Sequence, residues 1–373
     1  MERYRVLRID EQLYGCEELP EGQPVLCDVL LEDPSGQRRV LACPDAELTR
    51  LDIHEGDTVH LCCHTLTKCQ EEHMKEIQSS ALIGLGALGI LFGRKMPGVQ
   101  VIADADRIAR YSASPVVCNG EACHFDYLTP AEGKPVDLIL IAVKATVLEQ
   151  AIRDIAKFVG PDTVILSVLN GITSEEAVEA AYPGHTLWSV AIGMDATRVG
   201  RSLTFGAAGR IQFGEKNGQM TERVRRVADY LDACGIVNEP CSDILYKQWN
   251  KLMVNDGLNQ AAAAFDLPYG GLTQPGPAMD KMFEAMNEVI RLSQLEGVNL
   301  PDDNAHAVYD SMAASFKPEG MPSMRQDVLA HRPTEVEEFA GVVRRLAKKH
   351  GMPTPANDFF YEKIKEIEAG WEN

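Results

Sequence analysis

Apolar and polar positions divide the chain into three textures. In residues 1–78 they alternate over short stretches. Residues 4–9 read Tyr-Arg-Val-Leu-Arg-Ile, the period of a half-buried strand. Residues 24–31 and 38–42 form a predicted hairpin around the turn-forming set Asp33-Pro34-Ser35-Gly36. A further strand, 58–63, follows the turn Glu55-Gly56-Asp57, and the polar stretch 70–77 reads as a short helix or a linker. In residues 79–241 the apolar runs at 81–83, 99–103, 136–143 and 163–169 are short and nearly continuous, as suits parallel strands covered on both faces. Helical stretches such as 145–158 lie between them. From 242 to 373 the period becomes helical, over 243–264, 278–296, 302–315 and 335–350. Gly297 and Gly351 follow two of these as stop signals.

The predicted fold class is therefore an α/β Rossmann-type doubly wound domain (79–241) followed by an all-helical domain (242–373). A small β-rich accessory domain (1–78) precedes both.

Charge narrows the partners. With 36 basic and 55 acidic side chains the formal charge is -19, which argues against nucleic acid or an anionic membrane as partner. The first residues carry no signal-like apolar core, and the longest apolar run, 81–93, is too short to span a bilayer. A cytoplasmic location with reduced thiols is expected. Six of the ten cysteines, Cys16, Cys27, Cys43, Cys62, Cys63 and Cys69, lie before residue 79. Cys62, Cys63, His64, Cys69 and His73 offer zinc-type ligands, but their spacing matches no standard pair of knuckles. Buried small hydrophobes are expected there, and no metal.

The strongest chemical signal is Gly84-Leu85-Gly86-Ala87-Leu88-Gly89, which follows a strand and opens a helix. The first glycine permits a tight turn, the second lets a pyrophosphate approach the backbone, and the third lets helix and strand pack closely. The helix start then favours the phosphates. Asp104 ends the second strand twenty residues after Gly84, where an acid bonds the ribose hydroxyls of NAD. Arg107 and Arg110 follow, either to receive the 2′-phosphate of NADP or as solvated surface residues. The choice between NAD and NADP stays open on these residues.

In the helical half, Lys251, Asn255 and Asn259 are spaced i, i+4, i+8 and share one face of a helix whose Leu252, Val254 and Leu258 turn elsewhere. A lysine and two amides in an otherwise apolar helix indicate a cleft or a solvated face. A lysine of lowered pKa can protonate the alkoxide formed when a ketone is reduced.

Five strings in order, GLGALG at 84–89, AVKA at 142–145, LNG at 169–171, WNKLMVNDGLN at 249–259 and PSMRQD with PTEVEEF across 322–339, resemble the ketopantoate reductase (2-dehydropantoate 2-reductase) family over about four fifths of the chain. The resemblance implies reduction of a 2-keto acid to a 2-hydroxy acid between the two domains, with NADPH as the family's cofactor. It implies Lys251 as general acid, and Asn255, Asn259 and Ser323 as substrate-binding residues. Lys144 and Asn170 fall at the junction of nicotinamide and substrate, Ala196 lines the cofactor, and Glu335 reaches cofactor or substrate from the helical domain. Without the resemblance, Asn170-Gly171 reads as a turn pair and Thr334-Glu335 as a helix cap.

Three departures stand out. Asp104 replaces an arginine or similar group, Gln260 a proline that commonly follows the second asparagine, and Tyr269 a polar amide of some members. They point to NAD as an alternative to NADP, and to another branched 2-keto acid as an alternative substrate. A non-catalytic dinucleotide sensor is the reading from a different class. The apolar faces of the helical half are the expected surface for a homodimer.

Overall fold

The computed structural model describes residues 2–12, 24–33, 35–62, 65–68, 76–314 and 316–372. The chain forms two compact units, Met1–His73 and Met74–Asn373.

The first unit is an antiparallel sheet in the order β3-β2-β1-β4-β5. Its elements are β1 (Glu2–Glu11), β2 (Leu26–Glu32), β3 (Arg38–Pro44), α1 (Asp45–Arg50), β4 (Thr58–Cys62) and β5 (Thr65–Lys68). Strict alternation along β2 buries Cys27, Val29 and Leu31. The β2–β3 turn is closed by Asp33, whose carboxylate accepts from the backbone of Ser35 and Gln37 at 2.9 Å each. Cys27 and Cys43 are buried as small hydrophobes opposite each other. Cys16, Cys63, His64, Cys69 and His73, and most of the polar stretch 70–77, lie outside the described residues.

The second unit opens with a parallel sheet. Its strands and helices are β6 (Ser80–Ile83), α2 (Ala87–Gly93), β7 (Gln100–Ile102), α3 (Ala105–Ala113), β8 (Val117–Cys118), β9 (Glu121–Ala122), β10 (Asp126–Leu128), β11 (Val136–Ile141), α4 (Leu148–Asp154), β12 (Val159–Ser167), α5 (Ser174–Ala181), β13 (Thr186–Val199), β14 (Ser202–Gly214), α6 (Glu222–Ala233) and β15 (Asn238–Pro240). The run β10-β7-β6-β11-β12-β13 is parallel throughout. In order of appearance it reads 3-2-1-4-5-6, the dinucleotide-binding arrangement, which reverses between β6 and β11. Beyond β13 the simple alternation of strand and helix stops. β13 and β14 form a long antiparallel hairpin, because after six buried residues β13 turns to a strict period of two.

The predicted helix at 145–158 is also broken, with only α4 retaining α geometry between two tight turns. Phe158, fully buried beneath Gly133, draws the chain out of the helix and into β12.

The remainder is helical: α7 (Ile244–Val254), α8 (Gln260–Ala264), α9 (Tyr269–Leu272), α10 (Pro277–Leu295), α11 (Asn304–Ala313), α12 (Ser323–Leu329), α13 (Val342–Lys349) and α14 (Pro355–Ala369). Gly297 and Gly351 end two of these helices with positive φ (82° and 62°). Two wide π turns, Asn255–Asn259 and Glu337–Gly341, interrupt the α geometry. Leu252, Met253, Met282, Met286, Phe339 and Phe360 form the centre of this apolar core. No helix among the described residues is long and apolar enough to cross a membrane.

Candidate active site

The glycine loop lies where β6 and β11 diverge, and its three glycines are required for different reasons. Gly84 has φ +99°, and a Cβ there would stand 2.5 Å from the Ala142 carbonyl oxygen. A Cβ on Gly89 would meet the Gly84 carbonyl oxygen at 1.9 Å, so the first turn of α2 packs directly on the loop. Gly86 is different: its φ is -75° and a Cβ would make only an ordinary 3.5 Å contact. Nothing in the protein demands glycine at 86, so its bare backbone leaves room for a group from outside. Gly86 also starts α2 without any side-chain cap, leaving amides free for an anion. The loop therefore fits a dinucleotide pyrophosphate. Leu85 is buried and Ala87 and Leu88 are half-buried on the same apolar cluster. Ala196, on β13, packs against this cluster too, and Arg198 donates to the Leu85 carbonyl.

Asp104 lies just beyond β7 and caps α3, accepting from the Arg107 amide at 2.8 Å and pairing with its guanidinium at 3.3 Å. Arg107 thus shares its position with the acid.

The second cluster forms where the sheet meets the helical half. In α7, Ile244, Trp249, Leu252 and Met253 are buried and fix which way Lys251 faces. The Lys251 ammonium donates to Asn170 Oδ1 (2.8 Å) and to the Ala191 carbonyl on β13 (2.7 Å). Burial pushes its pKa down to about 8, against the upward pull of Glu335 and Glu175. Asn170 donates from its other end to Glu335 Oε2 at 2.9 Å. Burial raises the pKa of Glu335, while the Asn170 hydrogen bond and the charges of Lys144 and Lys251 oppose the rise. Asn170 is therefore the hinge of a lysine–amide–carboxylate chain spanning both halves.

Lys144, just past β11, crosses to the helical half as well, donating to Asp327 Oδ2 (3.0 Å) and the Pro333 carbonyl (3.4 Å). Thr173 donates to Glu338 Oε2 at 2.8 Å nearby. The helix predicted to begin at Thr334-Glu335 starts two residues later: Val336 is the flanking residue, and its amide donates to Thr334 Oγ1.

Asn255 is half-buried and Asn259 buried on the π turn, and neither amide side chain has a hydrogen bond to a described residue. Ser323 is exposed in the first turn of α12, which packs against this π turn. No hydrogen bond joins these three to the Lys251 cluster among the described residues. Gln260 ties the π turn down, donating to the Asp256 backbone (2.8 Å) and carboxyl (2.9 Å) and accepting from the Ala340 amide of the second π turn. Tyr269 stacks on Phe316 at 4.6 Å, its ring lying where Gly320 has no side chain.

Residue-by-residue reading missed Glu175, Gln248, Asp327, Arg198 and the Ala191 carbonyl. Gln248, one turn before Lys251, carried a helical-register signal. A backbone carbonyl carries none.

Residues 80–218 match the model of the ketopantoate reductase PanE/ApbA family, and residues 243–368 match the model of that family's C-terminal domain. The chain belongs to the ketopantoate reductase family. It is 28% identical over 243 residues to the 2-dehydropantoate 2-reductase of Lactococcus lactis, covering 62% of this chain and 75% of that one. The enzyme of the same name from Streptococcus pyogenes is 26% identical over 306 residues, covering 77% and 97%. Among solved structures, a D-mandelate dehydrogenase determined with NADH and anilino(oxo)acetate superimposes with a TM-score of 0.70 at 24% identity, covering 79% of this chain and 100% of that one. The chain is thus a 2-dehydropantoate 2-reductase-like oxidoreductase using a nicotinamide dinucleotide, and residues 1–79 precede both family matches.

Proposed function

We propose that the protein reduces a 2-keto acid to the 2-hydroxy acid, with ketopantoate as favoured substrate and Lys251 as the proton donor. The observation that carries this reading is the Lys251 ammonium. Two of its three N–H groups are held by Asn170 and Ala191, and burial brings its pKa to about 8. An acid poised there gives up a proton readily near neutral pH while remaining largely charged.

The glycine loop, Gly84 to Gly89, would hold the dinucleotide, with Ala196 beside it. A dinucleotide held there would supply the hydride for the carbonyl carbon. Lys251 then delivers a proton to the oxygen as negative charge develops on it, and Asn170 and Glu335 keep the ammonium aimed. The amides of Asn255 and Asn259, which have no partner among the described residues, are suited with Ser323 to a carboxylate and hydroxyl because they add no repelling charge. Lys144, clasped to Asp327, would hold the two halves at the junction where nicotinamide and substrate meet. We favour NADP, as the family resemblance implies, with NAD as the alternative because Asp104, exposed beside Arg107, can meet ribose hydroxyls. We favour a homodimer through the helical half, which sedimentation checks.

The Tyr269–Phe316 stack supports a second reading, the same chemistry on a different 2-keto acid. Absorbance at the nicotinamide band, with NADH and NADPH each crossed with ketopantoate and other branched 2-keto acids, decides between them. Fastest turnover with ketopantoate and NADPH is expected. Turnover with no keto acid at all would leave a dinucleotide sensor.

A further inference from the structure

β13 pairs with β12 only as far as Leu187. Past that point three side chains take over where the neighbouring strand stops. Glu175 Oε1 accepts from the Ser189 amide at 3.2 Å. Gln248 Nε2 donates to the Ser189 carbonyl at 2.9 Å, and Lys251 donates to the Ala191 carbonyl at 2.7 Å. Gln248 and Lys251 are three apart on α7, and Ser189 and Ala191 two apart on β13, so one helix face is latched to one strand edge. Glu175 closes the latch by accepting from Gln248 at 2.8 Å. Its other oxygen takes the Ser174 hydroxyl at 2.8 Å, which in turn accepts from Ser167 at 2.7 Å.

Glu175 is only 1% exposed and forms no ion pair among the described residues. A carboxylate so enclosed is costly unless a cation faces it. Its charge, with that of Glu335, pulls the Lys251 pKa upward.

We propose that Glu175 is a positioning residue for Lys251: through Gln248 and the Ser189–Ala191 edge of β13 it holds the lysine in register, and its negative charge keeps the ammonium protonated. The inference rests on the reading of Lys251 as proton donor. It also makes the pair responsive to pH. Burial raises the Glu175 carboxyl to about 7, so its charge appears just below the range in which Lys251 titrates. The groups facing the pair are Gln248 from α7, Ser189 from β13 and Ser174 from α5, with Asn170 and Glu335 beside Lys251.

The test is heteronuclear NMR of the lysine ammonium groups in the full-length resting protein, with Lys251→Met for assignment. In the unaltered chain the Lys251 signal should step near pH 7, as Glu175 ionises, before its own titration near 8. Glu175→Gln preserves shape and most hydrogen bonds. It should abolish the step and lower the lysine's pKa by about half a unit or more, and the alkaline limb of kcat/KM should move the same way. A single transition in the unaltered chain, or a Lys251 pKa unchanged in Glu175→Gln, would overturn the proposal. The NMR titration needs no substrate, so a step without turnover would sink only the proposed activity. Turnover without a step would sink only the role of Glu175.

Discussion

The glycine loop and the Lys251 cluster are two sites built on opposite rules. The loop is made of backbone: at Gly84 and Gly89 a Cβ would collide with carbonyl oxygens, whereas at Gly86 it would make only an ordinary 3.5 Å contact, so the backbone there lies open. The Lys251 cluster is made of side chains from four segments, Lys251 from α7, Asn170 after β12, Glu335 before the second π turn, and Glu175 from α5. The loop can therefore be damaged through shape alone. The lysine cluster can be damaged through charge with its shape intact. Binding should follow the first and chemistry the second.

That contrast can be broken in a graded way. The largest expected effect is on Lys251→Ala, which should cut turnover at least ~100-fold, the scale of a lost general acid. The unaltered enzyme should lose kcat/KM for reduction as pH rises through about 8, where Lys251 deprotonates, and gain it for the reverse oxidation. A flat reduction profile across that range would separate Lys251 from the chemistry. Next comes Gly84→Ala. It forces a left-handed backbone and a Cβ 2.5 Å from Ala142, so a loss of ~1–3 kcal/mol in stability is expected, read as a lower melting temperature. Asn170→Ala removes an amide that bonds both Lys251 and Glu335, and should cost turnover at least ~10-fold, the scale of one hydrogen bond to a charged group. Its effect on dinucleotide affinity should be small. Gly86→Ala is the mildest and the sharpest. Stability should change by less than ~0.5 kcal/mol, as at an unstrained surface position, yet dinucleotide affinity should fall, measured by titration calorimetry. Unchanged affinity would mean that the ligand does not approach at Gly86.

How much of this was legible in the sequence follows the same division. The glycine spacing, the apolar runs of β6, β11 and β12, and the helix carrying Lys251 are local patterns, and they appear as local structure. The β13–β14 hairpin was not read, because the buried first half of β13 resembles one more parallel strand and only the alternating half betrays its partner. The break at Phe158 depends on Gly133, which lies in a distant turn. The π turns answer to packing between helices that no local period encodes. Glu175 sits in a Ser-Glu-Glu string that looks like an ordinary helix start. Its burial beside Gln248 emerges only when α5, α7 and β13 come together. Asp104 was legible as an acid at the right spacing, but its engagement as the cap of α3 was not.

The most direct test of the central claim is to measure dinucleotide affinity and single-turnover rate on the same preparation of Lys251→Ala. Affinity should stay close to that of the unaltered protein while the reduction rate falls at least ~100-fold. A rate near that of the unaltered protein, or a joint collapse of affinity and rate in a folded protein, would contradict it.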